Sequence, residues 1–409
     1  MPTEIIKTVK PSGGDYSSLS AWEAGEQGDL PTLDEIHTAE CYSMQDTIAV
    51  IINGWDTSAI RYLKVYTPAS ERHDGKWNTV KYYLDITSGH ALDIYETDAH
   101  VEGIQIDGNG TNLTNYVIRA TRNKISYCIS KDAGTSGYYT DPLTTQFWND
   151  IAFDCNGAGF YLGSGGYFYN CTAKDNAGIG FQRFGGTPTL KNCLSDNVGA
   201  DYSGAMTVSY CASGDATADD NGGAGNRINQ TFTFVNEAGD DFHLASGDAG
   251  AKDYGVDLSA DPDLAFSDDI DGQTRSGTWD IGADEYVTGF YQQALTGGLI
   301  FSGGLSKKTK KGLTGGLTFT GGLSKKTSRN LTGGLTFVGD ILKSLRVKKN
   351  LTGELIFAGS LSTIKKQFKS LAGSLSFTGS LASVHTVGTG MMLRRIGNWI
   401  AQGVRRWYY

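Results

Sequence analysis

The chain is poor in proline, with 7 in 409 residues, and in cysteine, with 6. Scarce proline beside 55 glycines and 39% apolar residues argues against disorder and for a regular, turn-rich β protein. Six thiols over this length do not make a disulfide scaffold. No apolar run approaches the length of a spanning helix, about 18 residues or more, so no membrane span is expected. The opening MPTEIIKTVKPSGG has no apolar signal core, which argues against ordinary secretion. There is no Ser-His-Asp spacing, zinc pair or phosphate loop. Acids are scarce in one region: from Gly289 onward there are 18 Lys and Arg but 2 acids, Asp340 and Glu354. The net charge of −9 therefore divides into about −25 in front and about +16 behind, which fits either two modules with different partners or lysines that keep apolar strands soluble.

What is present is repetition. NDIAFDCNGAGF from Asn149, NCTAKDNAGIGF from Asn170 and NCLSDNVGADY from Asn192 align at offsets of 21 and 22 residues. The first two share Asn149/Asn170, Ala152/Ala173, Asp154/Asp175, Gly157/Gly178, Gly159/Gly180 and Phe160/Phe181. The third, with one residue deleted, supplies Asn192, Asp196, Gly199 and Tyr202, and YCASGD from Tyr210 is a degenerate fourth copy. This period is too short for stacked helix pairs. It fits one turn of a parallel β-helix, with two or three short strands per coil and Asn or Gly at the corners. Coils would stack at roughly 4.8 Å, and Cys171, Cys193 and Cys211 would form one inward ladder. HVEGIQIDGNG from His100 and YVIRATRNKISYCIS from Tyr116 alternate with the strand period and predict earlier coils. DYSSLSAWEAGEQGD from Asp15 predicts one helix. Leu19, Trp22 and Glu23 lie at helical spacing, Ser20-x-x-Glu23 forms a capping box, and Gly28 ends it. Such a helix would cover the open first coil.

FVNEAGDDFHLASGDAGAKDYG (Phe234–Gly255) and DDIDGQTRSGTWDIGADEY (Asp268–Tyr286) resemble the closing segment of right-handed parallel β-helix proteins of the pectate-lyase-like group. TVKPSGGDYSSLSAWEAG is similar to the first strand and cap of such proteins in bacteriophage and environmental sequences. The resemblance spans about residues 5–286 and implies fold more than function, because the scaffold carries lyases, hydrolases and plain binding proteins.

Polysaccharide cleavage on this scaffold would need either acids holding calcium beside a basic proton acceptor, or a carboxylate pair. Asp154, Asp175 and Asp196 on one corner, with Arg183, are the candidates. Trp148, Tyr167 and Phe181 are the candidates for stacking on sugar. The alternative is that the aspartates bond turn amides and the aromatic rings simply pack. Asp269-x-Asp271-Gly272 resembles the start of a calcium loop but lacks the other ligands. Arg275 beside it points instead to an ion pair, with a bound calcium as the weaker alternative; no cofactor and no metal site are otherwise expected. His100 and His243 lie in strand-like phrases and read as packed.

The tail repeats from Leu295, Leu313, Leu331, Leu351 and Leu371, at offsets of 18, 18, 20 and 20. Leu, Gly, Leu, Phe, Gly and Leu or Ile fill its odd positions, with Phe301, Phe319, Phe337, Phe357 and Phe377 at the seventh. Strict alternation predicts one β-strand per copy, stacked on other copies in the same or neighbouring chains. Similar repeats occur in phage structural proteins. MMLRRIGNWIAQGVRRWYY predicts an amphipathic helix that docks on a partner or caps the repeats.

The organisation expected is a strand and capping helix over 1–30, a parallel β-helix over 31–288, five basic-looped repeats over 289–388 and a helix over 389–409. The resemblance implies a phage virion protein of fibre or spike type, assembled in the host cytoplasm and extracellular after lysis. It would bind host surface polysaccharide, contact other virion proteins, and form a homo-oligomer such as a trimer. Two other readings stand beside it, a polysaccharide depolymerase and a self-assembling filament. Nucleic acid is the least favoured partner, because the lysines lack interleaved aromatics.

Overall fold

The computed structural model describes residues 2–141, 144–163 and 165–287, and beyond them the strands between 299 and 387. It divides into two units, Met1–Tyr286 and Val287–Tyr409.

The first unit is a parallel β-helix of about eight turns. The chain visits three sheets in order and returns to the first one coil later. A representative coil runs Thr145–Trp148 in the first sheet, Ile151–Phe153 in the second and Phe160–Leu162 in the third. The first sheet has nine strands, the second eight and the third seven, and every pairing among them is parallel. Alternation turns one set of side chains inward. Tyr116, Tyr138, Phe160, Phe181 and Tyr202 form a core stack with centroids 4.6, 4.6, 4.8 and 5.3 Å apart and near-parallel planes. Ring faces packed this way fill the core and add stacking to burial.

Between the first and second sheets the chain turns through a left-handed residue. Asn149, Asn170 and Asn192 take φ of 56, 50 and 53°, and Tyr127 and Tyr210 hold the same place at 54 and 52°. Asparagine tolerates this region better than most side chains, because its short amide bonds locally. Gly157, Gly178 and Gly199 answer a different need. A Cβ on them would stand 2.2, 2.7 and 2.4 Å from the carbonyl oxygens of Thr135, Gly157 and Gly178 in the coil below.

The residue after each left-handed turn points inward. Cys128, Cys171, Cys193 and Cys211 are fully buried there, as the spacing predicts for the last three. Asp150 occupies the rung between Cys128 and Cys171. It too is fully buried, its Oδ1 accepting from the Cys128 amide at 2.8 Å. Burial pushes its carboxyl well above the usual range.

Helix Leu19–Glu26 covers the first coil, with Leu19 and Trp22 fully buried and Trp22 stacked on Trp55 at 5.4 Å. Its cap is Ser18, whose Oγ accepts from the Ala21 amide at 3.1 Å, two residues earlier than expected. Glu23 does not complete a capping box. It turns inward, where its Oε1 accepts from Gln27 Nε2 at 2.7 Å and from the Asn53 amide at 3.2 Å. An open backbone donor on the first coil is satisfied in this way.

In the second unit the repeats also stack in parallel. Strands Leu299–Ser302, Leu317–Thr320, Leu335–Val338, Leu355–Ala358 and Leu375–Thr378 pair so that Phe301, Phe319, Phe337, Phe357 and Phe377 share one register position. The single strand expected of each copy is instead two in the last four copies. Leu313–Thr314, Leu331–Thr332, Leu351–Thr352 and Leu371–Ala372 form a separate four-stranded sheet. In the sequence, glycine stands at 315, 333, 353 and 373, between the two strands of the last four copies. A third sheet pairs Leu345–Val347, Ile364–Gln367 and Val384–Val387. Leu295 and the expected helix over 389–409 lie outside the described residues.

Candidate functional site

The aspartates proposed as a corner set do not share one rung. Asp154 and Asp175 follow strands of the second sheet in the left-handed conformation, and Asp132 holds that place one coil earlier. Asp196 is a strand residue paired with Lys174, because the deletion in the third copy removes the turn residue itself. Arg183 ends a strand of the third sheet, at a different corner, and its Nε donates to the Gly186 carbonyl at 2.8 Å. The cation among the acids is Lys174, whose Nζ lies 2.5 Å from Asp175, 2.7 Å from Glu237 and 3.2 Å from Asp196. Asp154 has no such partner. Burial raises its carboxyl to about 6, helped by the nearby charges of Asp132, Asp240 and Asp175.

Of the three aromatic candidates one is out of a ligand's reach and two are partly exposed. Phe181 is fully buried in the core stack, a correction that its match to Phe160 already implied. Trp148 donates from Nε1 to the Tyr127 hydroxyl at 3.2 Å and packs on Phe266. Tyr167 packs against the cluster of Tyr169, Leu258, Leu264 and Trp279.

Leu258, Leu264 and Trp279 belong to a strip, residues 230–286, that leaves the coil and runs back over the asparagine corner. It starts with an antiparallel hairpin, Phe234–Asn236 with Asp241–Leu244. Phe232, Phe234, Phe242, Leu244, Ile270 and Ile281 bury the outer side chains Ile129, Ile151, Phe153 and Leu194 of the second sheet. The asparagines hold it by their amides. Asn149 Nδ2 donates to the Asp268 carbonyl at 2.9 Å, Asn170 Nδ2 to the Asp280 and Gly282 carbonyls, and Asn192 Nδ2 to that of Val256.

Within this strip Arg275 does make an ion pair, but with Glu285 at 3.4 Å. Asp271 instead faces His243 at 3.7 Å, and His243 also bonds Asp241 at 2.5 Å. Burial opposes the imidazolium, yet the bond to Asp241 and the carboxylate of Asp271 beside it raise His243 to about 11. His100 stacks on Tyr62 at 4.0 Å, and burial lowers it to about 4.

The outer face of the third sheet carries a different set. Its central register line is Asp93, Val117, Tyr139, Tyr161 and Gln182. Tyr95, Arg119, Asp141, Gly163 and Phe184 stand two residues further along the same strands. Phe184 lies 4.5 Å from Tyr161 and 5.5 Å from Tyr139, and the three rings tilt by no more than 35° from one another. Phe184 is 41% exposed and Tyr95 46%. Gly163 makes room for this, since a Cβ there would stand 2.3 Å from the Phe184 ring. At the other end Arg119 grips Asp93 with two bonds, 2.6 and 3.0 Å, and its guanidinium sits 5.0 Å from the centre of the Tyr95 ring.

Near-parallel rings set among Gln182, Asp141 and a fixed guanidinium make a shallow surface with both stacking area and hydrogen-bonding groups. The sequence offered a signal for it: Phe160 and Phe181 match in the repeat as inward residues, so Tyr161 and Gln182 must face out. The sequence matches no family model, and no curated protein matches it.

Proposed function

We propose that the third-sheet face binds carbohydrate, through Tyr139, Tyr161 and Phe184 with Tyr95 and Arg119 at its end, and that the chain is a glycan-recognising virion protein of the pectate-lyase-like type. The observation that carries this reading is an exposed aromatic cluster beside fixed polar groups on one sheet, while strip 230–286 packs over outer side chains of the second sheet. Flat apolar rings next to donors and acceptors suit a sugar's apolar face and hydroxyl rim. The basic tail would serve attachment or assembly. The test is a glycan screen of the full-length protein, followed by titration of Tyr161→Ala with Phe184→Ala. Losing both rings should weaken a bound glycan by about tenfold or more with the circular dichroism spectrum unchanged. Unaltered affinity would remove the face from consideration.

The raised carboxyl of Asp154 favours a second reading, polysaccharide cleavage, because a proton held near neutral pH among other carboxylates suits general acid catalysis. It requires that new reducing ends appear in some polysaccharide and that Asp154→Asn, which keeps the left-handed turn, stops their release.

A further inference from the structure

We propose that the outer face of the first sheet holds a binding site for a sulfate or phosphate ester group, built where Lys64, His100 and Lys124 follow one another across three coils. The register pairs Lys64 with His100, and His100 with Lys124, on parallel strands. Their neighbours Leu63, Val65, Val101 and Ile125 are buried in the core, so alternation turns the three side chains outward together. They repeat at the strand spacing, roughly 4.8 Å, and a group above His100 lies within reach of both lysines. Gln146 comes next in the register. Its Nε2 donates to the Asp263 carbonyl at 2.6 Å, which closes the column at that end.

The front of the chain carries a net charge of about −25, yet this patch is short of acids. Glu102, two residues after His100 and on the same face, meets Lys64 at 2.9 Å but is shared with Arg72 at 3.2 Å. Asp98 is held by the fork of Arg122, at 2.8 and 2.5 Å. The Lys124 ammonium has no ion-pair or hydrogen-bond partner among the described residues. Tyr62 stacks on the His100 ring at 4.0 Å, and the ring nitrogens bond none of the described residues. Burial, then Lys124 and Lys64, lower this imidazole to about 4 against the pull of Asp98. Positive charges set this close on neighbouring strands are unfavourable. An external oxyanion relieves the repulsion and finds three donors, two ammonium groups and a ring N–H. Lysine is a point charge without the fork that matches the two oxygens of a carboxylate. A tetrahedral ester, with three outer oxygens, suits three separate donors. This site stands apart from the aromatic face of the third sheet in both residues and ligand charge.

The experiment is nitrogen-15 NMR titration of the imidazoles in the full-length protein, with glucan oligosaccharides bearing one sulfate ester, one phosphate ester, one carboxylate or no charge. Either ester should raise the His100 midpoint from about 4 by about one pH unit or more, which corresponds to roughly tenfold tighter binding when the ring is charged. The ester with the larger shift names the source of the group. The carboxylate should shift His100 less, and the uncharged glucan should not shift it. Lys124→Gln should remove most of the shift and Lys124→Arg should keep it. Because Lys124 is exposed, neither exchange threatens the fold. Lys307→Gln with Lys308→Gln should leave the shift unchanged, which separates this site from general attraction to the basic tail. Four results overturn the proposal: no shift with either ester, an equal shift with the carboxylate or the uncharged glucan, a Lys124→Gln response like that of the parent, or loss of the shift in the tail variant.

Discussion

Arg275 Nη2 donates to Asn149 Oδ1 at 3.0 Å, joining positions 126 residues apart in sequence. The guanidinium is buried, and it also donates to the carbonyls of Asp268, Gly282, Ala283 and Asp284. One side chain thus binds the strip to the corner and satisfies its loop. Lysine cannot reproduce this fork. Arg275→Met should destabilise the first unit by about 3–5 kcal/mol, as expected when one partner of a buried ion pair is removed, and Arg275→Lys, which keeps the charge but loses the fork, should destabilise it less. Limited proteolysis should then cut within 230–286 sooner than elsewhere.

Asp150 should make stability fall as pH rises. Burial holds its folded pKa well above that of a free carboxylate, so the native state favours the protonated form. That contribution is complete below the unfolded pKa and is lost as pH climbs toward the folded one, at up to about 1.4 kcal/mol per unit. Asp150→Asn keeps an acceptor for the Cys128 amide and removes the titration. Its advantage in denaturant midpoint over the parent should grow from pH 4 to pH 8. A constant difference would show that Asp150 is not the titrating group.

Two histidines close to the strip should hold opposite charge states at neutral pH. Burial lowers His73 to about 3, while its Nε2 bonds the Tyr127 carbonyl at 2.7 Å. His243 is raised to about 11 by Asp241 and Asp271 against the cost of burial. Nitrogen-15 NMR of the imidazoles at pH 7 should show a neutral ring for His73 and a doubly protonated ring for His243. The His243 contribution to stability is complete below its unfolded pKa and lost as pH rises toward 11. His243→Gln should therefore be least harmful in strong alkali.

Coil spacing should reject a methyl group at Gly178 but accept one elsewhere. A Cβ at Gly178 would stand 2.7 Å from the Gly157 carbonyl oxygen, whereas nothing lies within 4 Å of one at Gly247. Gly178→Ala should lose about 1–3 kcal/mol, and Gly247→Ala should be neutral or gain up to about 1 kcal/mol. Thermal melts of the two variants make the comparison.

The repeat made the coil legible, because identical corners impose identical residues. Asn149, Asn170 and Asn192 repeat since each must turn left-handed in the same place, and Cys171, Cys193 and Cys211 follow as the next inward position. What the repeat could not convey is where a non-repeating strip lies. Trp148 and Tyr167 look like ligand groups in isolation, and strip residues such as Phe266 and Leu258 meet them only after the chain doubles back. Asp196 misled for a different reason: the third copy lacks the turn residue itself, so the acid before the gap pairs with Lys174 and has no counterpart in Asp175. The third-sheet face was within reach of alternation, but its rings come from three coils and Phe184 depends on Gly163, a contact between positions 21 apart.

A stack of coils in which each meets its neighbours alone can melt from its ends in stages, with cooperativity fading along its length. The strip changes that balance. Its bonds reach Asn149, Asn170 and Asn192 as well as Lys131 and Lys174, so fraying any one of these coils also loosens the fastening of the others. The first unit should therefore unfold in one calorimetric transition, with equal van't Hoff and calorimetric enthalpies, where a bare solenoid of this length would show a broadened one.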